Sequence, residues 1–113
     1  SLNAGYSVWV REAEGEVIGY YVMMAAAGEA HLLNMTIAPS WRGHGLGREL
    51  LEHCLACART HRAESLFLEV RPSNSAALAL YHSSGFIDLA VRQDYYPSRN
   101  GREDAVIMKR DMR

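Results

Sequence analysis

The stretch RGHGLGREL, residues 42–50, decides how the rest of the chain is read. Gly43, Gly45 and Gly47 alternate with other residues where one apolar segment has ended at Pro39 and a helical pattern begins. Glycine has no Cβ, so such a loop lets a ligand approach the backbone closely. The helix that follows presents unpaired N–H groups and the positive end of its dipole, which together suit phosphate oxygens. Arg42 and Arg48 bracket the loop with guanidinium donors. A glycine-rich helix start that merely turns tightly is the plainer alternative. A P-loop would end in Gly-Lys-Ser/Thr, and Gly47-Arg48-Glu49 does not. A dinucleotide fingerprint would need a glycine where Arg48 stands and a parallel unit before the loop.

Downstream of the loop, Leu46, Leu50, Cys54 and Ala58 recur every four residues with Leu51 and Leu55 beside them, so 46–61 reads as an amphipathic helix. Upstream, residues 7–12, 17–26 and 30–39 read as three strands, separated by turns at Gly15 and Gly28, and short turns make them an antiparallel meander. After the helix, 65–71 reads as a strand buried on both faces. A second helix spans about 74–84, capped by Ser73 or Asn74 and ended by Gly85. FIDLAVRQDYY and EDAVIMKRDM are two further strands, joined through PSRNGR with Gly101 at the turn. The order is βββαβαββ, an α/β (α+β) mixed sheet with at least one right-handed crossover.

Composition narrows the function classes. The chain has 113 residues, 49% of them hydrophobic, which suits a single domain over 1–113. Twelve Lys and Arg against 13 Asp and Glu give a net charge of -1 with no basic cluster, which argues against nucleic acid. No apolar run approaches the ~20 residues that cross a bilayer, and the opening SLNAGYSVWV does not read as a signal peptide. Cys54 and Cys57 are expected to be reduced thiols, consistent with a cytoplasmic protein. His53, Cys54, Cys57 and His61 have the i,i+4 spacing of metal ligands, but Cys54 belongs to the apolar stripe, so core packing rather than metal is expected.

Glu69 interrupts the apolar run Leu66, Phe67, Leu68, Val70. Removing water from a carboxylate costs several kcal/mol unless something compensates. The residue therefore faces a solvated cleft, serves chemistry, or pairs with Arg71, which shares its face two residues on. Tyr81 reads equally as a core aromatic with its hydroxyl at the rim, and Asn74 as a helix cap. Tyr95, Tyr96, Glu103 and Asp104 either line a groove or form an exposed hairpin tip.

Arg42-Gly43-His44-Gly45-Leu46-Gly47 resembles the Arg/Gln-x-x-Gly-x-Gly/Ala signature of the GNAT superfamily of acyl-CoA-dependent N-acyltransferases. LFLEVRPSNSAALALYHSSGF and YYPSRNGREDAVIM resemble, more specifically, the ribosomal-protein alanine N-acetyltransferases. The resemblance implies a GNAT-like sheet and a reaction that uses acetyl-CoA, releases CoA and acetylates the N-terminal amine of a protein or peptide such as a ribosomal protein. It allows an oligomer. Lysine or small-molecule amines, or acyl-CoA binding without catalysis, are the neighbouring alternatives. It also implies residue roles. The backbones of Met35, Thr36 and Ile37 would pair with the pantetheine arm, and Gly43 to Arg48 (Gly43, His44, Gly45, Leu46, Gly47, Arg48), with Arg42 before them, would hold the pyrophosphate. Asn74 would touch the cofactor, Glu69 would be the general base and Tyr81 the general acid. The family domain opens with a strand and two helices ahead of the meander, so a domain lacking those N-terminal elements is expected. Burial of Glu69 at the floor of an amine-accepting cleft would make it a stronger proton acceptor.

Overall fold

The computed structural model describes residues 5–98 and 101–112. Among them, six strands form one mixed sheet: β1 (Gly5–Ala13), β2 (Glu16–Ala26), β3 (Glu29–Ile37), β4 (Ser65–Val70), β5 (Ile87–Ser98) and β6 (Gly101–Asp111). The sheet order is β1-β2-β3-β4-β6-β5. Helix α1 (Leu46–Thr60) joins β3 to β4 and helix α2 (Ser75–Ser83) joins β4 to β5, as the sequence pattern predicts. A short 3-10 turn, Pro39–Trp41, separates β3 from the glycine loop.

The meander is held by two tight turns. Ala13 pairs with Glu16 and Ala26 with Glu29, leaving Glu14-Gly15 and Ala27-Gly28 as two-residue loops with positive φ throughout. That is the type I′ geometry whose twist matches the flanking strands. The turn joining β5 and β6 involves residues 99–100, which lie outside the described residues.

Both helices supply one core. Leu50, Leu51 and Cys54 of α1 are fully buried against Tyr21, Met23, Leu66 and Met108 of the sheet. In β4 only alternate residues are buried, Leu66, Leu68 and Val70, while Phe67 and Glu69 point to the other face. The expectation of a strand buried on both faces is therefore corrected. The helices cover one face, and the opposite face leaves Val8 and Leu33 exposed.

The pairing of β3 with β4 creates the site. The two run parallel from Glu29↔Ser65 only as far as Leu32↔Leu68. On its other side β3 passes from Leu32↔Met23 to Asn34↔Val22, so Leu33 is an extra, bulged residue. A bulge bends its strand and redirects its side chains. Beyond it, residues 34–37 of β3 remain paired to β2 but no longer to β4, and the sheet opens into a gap.

Candidate active site

The gap is occupied by two adjoining clefts. The larger, about 810 Å³, runs from Met35, Thr36 and Ile37 along the glycine loop to the start of α2. The smaller, about 200 Å³, lies between Leu33–Met35 of β3 and Leu68–Arg71 around the end of β4. Met35, Asn74, Ala77 and Tyr81 line both, so the two clefts adjoin between the glycine loop and Glu69.

At the entrance, Gly43 and Gly45 have φ of 79° and 82°, backbone states that L side chains rarely adopt. A Cβ built on either would meet nothing within 4 Å. The backbone there faces open space of the kind a ligand can fill. Gly45 caps α1 without a side-chain hydrogen bond. The first helical bond runs from the Glu49 N–H to the Gly45 carbonyl, so the N–H groups of Leu46, Gly47 and Arg48 have no helical acceptor. The Arg48 guanidinium donates to Ser83 Oγ at 2.8 Å, and Arg42 Nε donates to the Ile37 carbonyl at 3.4 Å. These donors and a helix dipole make an anion cradle with two arginines at its walls.

The other sequence-predicted residues fall in distinct places. Met35, Thr36 and Ile37 pair with Tyr21, Tyr20 and Gly19 of β2 and turn their other edge to the cleft. Asn74 Oδ1 accepts the Ala77 N–H at 3.1 Å, so it caps α2 while lining both clefts. Leu46 points its side chain into the core, leaving only its backbone near the loop. His44 is not among the lining residues; its ring meets Trp41 edge-on at 6.4 Å. Trp41 does line the large cleft and Tyr96 the small one.

Glu69 and Tyr81 both line the small cleft, the first from β4 and the second from α2. Tyr81 is 7% exposed, and its ring lies 5.6 Å from that of Phe86. Burial, reinforced by Cys54 and Tyr96, pushes its hydroxyl up to about 12, so it carries its proton at neutral pH. The Glu69 side chain is 32% exposed and pairs with Arg92 at 3.4 Å. Two expectations are thereby corrected. The carboxyl is not buried, because no helix covers its face of the sheet among the described residues. Its partner is not Arg71, because β4 ends at Val70 and the chain turns away. Arg71 instead donates to the Pro97 carbonyl at 2.8 Å and to Glu103 at 3.5 Å.

The hairpin acids serve the scaffold. Glu103 accepts the Ser73 N–H at 2.8 Å, and hydrogen bonding from Ser73, helped by Arg71, holds its carboxyl below the usual carboxylate range. Asp104 accepts the Asp94 N–H at 3.0 Å. The cysteine–histidine set does not converge: Cys54 is in the core, while His53 hydrogen-bonds to the Tyr21 hydroxyl at 2.6 Å and stacks on Trp9 at 3.9 Å. No helix among the described residues is long and apolar enough to cross a membrane.

Residues 2–86 match the Acetyltransferase (GNAT) family. The chain belongs to this family. Among relatives of this GNAT chain, the [Ribosomal protein bS18]-alanine N-acetyltransferase of Escherichia coli K12 is 43% identical over 94 residues, 83% of this chain and 64% of the relative. The chain thus spans under two thirds of that relative's length. The crystal structure of the ribosomal-protein-S18-alanine N-acetyltransferase from Escherichia coli superposes with a TM-score of 0.89 at 38% identity, covering 95% of this chain and 69% of that one. Naa20 of Chaetomium thermophilum, solved with a bisubstrate analogue, gives 0.81 at 31% identity over 91% of this chain and 64% of its own. The GNAT fold, with its mixed sheet and two helices, is therefore the one read from the sequence.

Proposed function

We propose that this chain transfers an acetyl group from acetyl-CoA to a primary amine, the N-terminal alanine amine of a protein, with a ribosomal protein in the cytoplasm as its substrate. The observation that carries this is the shared lining of the two clefts, which sets an anion cradle beside a carboxyl and a phenol. The residues fit the cosubstrate. The free N–H groups at the start of α1, with Arg42 and Arg48, would hold the pyrophosphate, and the edge of Met35 to Ile37 that β4 leaves uncovered would take the pantetheine amides as an added strand. The thioester supplies an activated acyl group.

The chain's own residues handle protons. A free α-amine has a pKa near ~8, against ~10.4 for lysine, so it is the easier amine to neutralise at physiological pH. Glu69 accepts its proton directly or through one water, which the partly open cleft admits. The neutral nitrogen attacks the carbonyl carbon, the new C–N bond forms as the C–S bond breaks, and Tyr81 donates its proton to the departing thiolate. The second proton of the acylated nitrogen returns to the Tyr81 oxygen, leaving a neutral amide, the CoA thiol and the phenol, with the proton on Glu69 released to solvent. That thiolate has a pKa of roughly 8.5 by analogy with cysteine, so a neutral phenol beside it completes the balance.

An acetylation assay with short peptides differing only in their first residue tests the acceptor. A peptide beginning with alanine is expected to be acetylated at its α-amine, and a peptide blocked at its N-terminus but carrying lysine is expected to remain unmodified. Acetylation of the blocked peptide at equal rate would replace the N-terminal reading with a lysine one.

A further inference from the structure

We propose that Arg92 is a positioning residue for Glu69, a role that rests on the acetyl-transfer reading above. Arg92 Nη1 lies 3.4 Å from Glu69 Oε2, which holds the carboxyl by one oxygen. Both residues line a further cavity of about 220 Å³ with Tyr96 and Phe67, on the uncovered face of the sheet.

Register places Arg92 on the face of Glu69: Glu69 and Ala90 both pair with Ile107, and Arg92 pairs with Ala105 two residues along. Arg92 pairs with Ala105 and Tyr96 with Glu103, so three residues of β5 oppose one of β6. Within this bulge Asp94 has a φ of 54°, a state aspartate tolerates better than most residues. The bulge is clamped: Arg102 Nε donates to the Asp94 carbonyl at 2.6 Å and Nη2 to the Tyr95 carbonyl at 3.2 Å, while Asp104 accepts the Asp94 N–H. The clamped bulge begins just after Arg92. The guanidinium also rests over the Tyr95 ring at 5.1 Å. Other polar groups around Glu69 come from His31 on β3, Tyr96 on β5, Tyr81 on α2 and Arg71 after β4, and Arg71 is already engaged by Pro97 and Glu103.

With side chains 57% and 32% exposed, the pair contributes little to stability. Its removal should therefore act on turnover and not on the fold. Arg92→Gln is expected to lower kcat for an alanine-initiated peptide about a hundredfold, with Tm and the KM for acetyl-CoA unchanged. Arg92→Lys, which keeps the charge, should recover most of the rate. In a Glu69→Gln background, Arg92→Gln should cause no further loss. Full kcat in Arg92→Gln alongside an inactive Glu69→Gln, or a further hundredfold loss when Arg92→Gln is added to Glu69→Gln, would overturn the positioning role alone. A fully active Glu69→Gln would overturn it together with the acetyl-transfer reading.

Discussion

Glu69→Gln is expected to reduce kcat/KM for acetylation of an alanine-initiated peptide by about 10²- to 10⁴-fold, the contribution of a positioned general base. Glutamine matches glutamate in shape but cannot take the proton from the incoming ammonium group. The substitution sits on the sheet face away from the core, so the protein should stay folded. CoA binding should also survive, because the anion cradle lies at the start of α1 and not on β4. A hundredfold excess of CoA over Kd should still stabilise the variant by about 2.7 kcal/mol, and NAD should not. The remaining activity should rise as pH approaches ~8, where solution itself supplies more neutral α-amine. Wild-type turnover in this variant would remove Glu69 from the reaction.

Tyr81→Phe should lose about 10²- to 10⁴-fold for the reciprocal reason, the missing proton donor to the thiolate. The ring and its contact with Phe86 are kept, so the loss should appear in kcat with little change in Tm near neutral pH. A pH titration of stability adds a second readout. The folded-state hydroxyl is raised from 10.0 to about 12, so its contribution is fully present below pH 10 and fades as pH climbs toward 12. The phenylalanine variant should lack that alkaline component. Unchanged kcat together with a changed alkaline stability profile would leave Tyr81 as a core aromatic only.

Residues with strong local patterns were legible in the sequence. The four-residue recurrence of Leu46, Leu50, Cys54 and Ala58 marks α1, and Gly15 and Gly28 mark the two turns of the meander. The glycine loop and Asn74 were legible as candidates because helix starts have local signatures, and both line the large cleft. What the sequence hid depends on register between distant strands. The bulge at Leu33 follows from how β2 meets β3, and the end of pairing at Leu32 opens the gap. No local alternation announces either. Arg71 looked like the partner of Glu69 because both share the strand period, yet the strand ends between them. Arg92, 23 positions beyond Glu69, shares its sheet face only through the register of both strands with β6. Trp41 sits in a short 3-10 turn whose side-chain direction depends on the whole loop.

The most direct measurement is the crystal structure of the protein with CoA. Pyrophosphate oxygens should lie within about 3.2 Å of backbone N–H groups between Gly45 and Arg48, and the thiol should end in the opening between β3 and β4, between Tyr81 and Glu69. A pyrophosphate bound away from the start of α1, or a thiol emerging on the far side of β4 from that opening, would contradict the account.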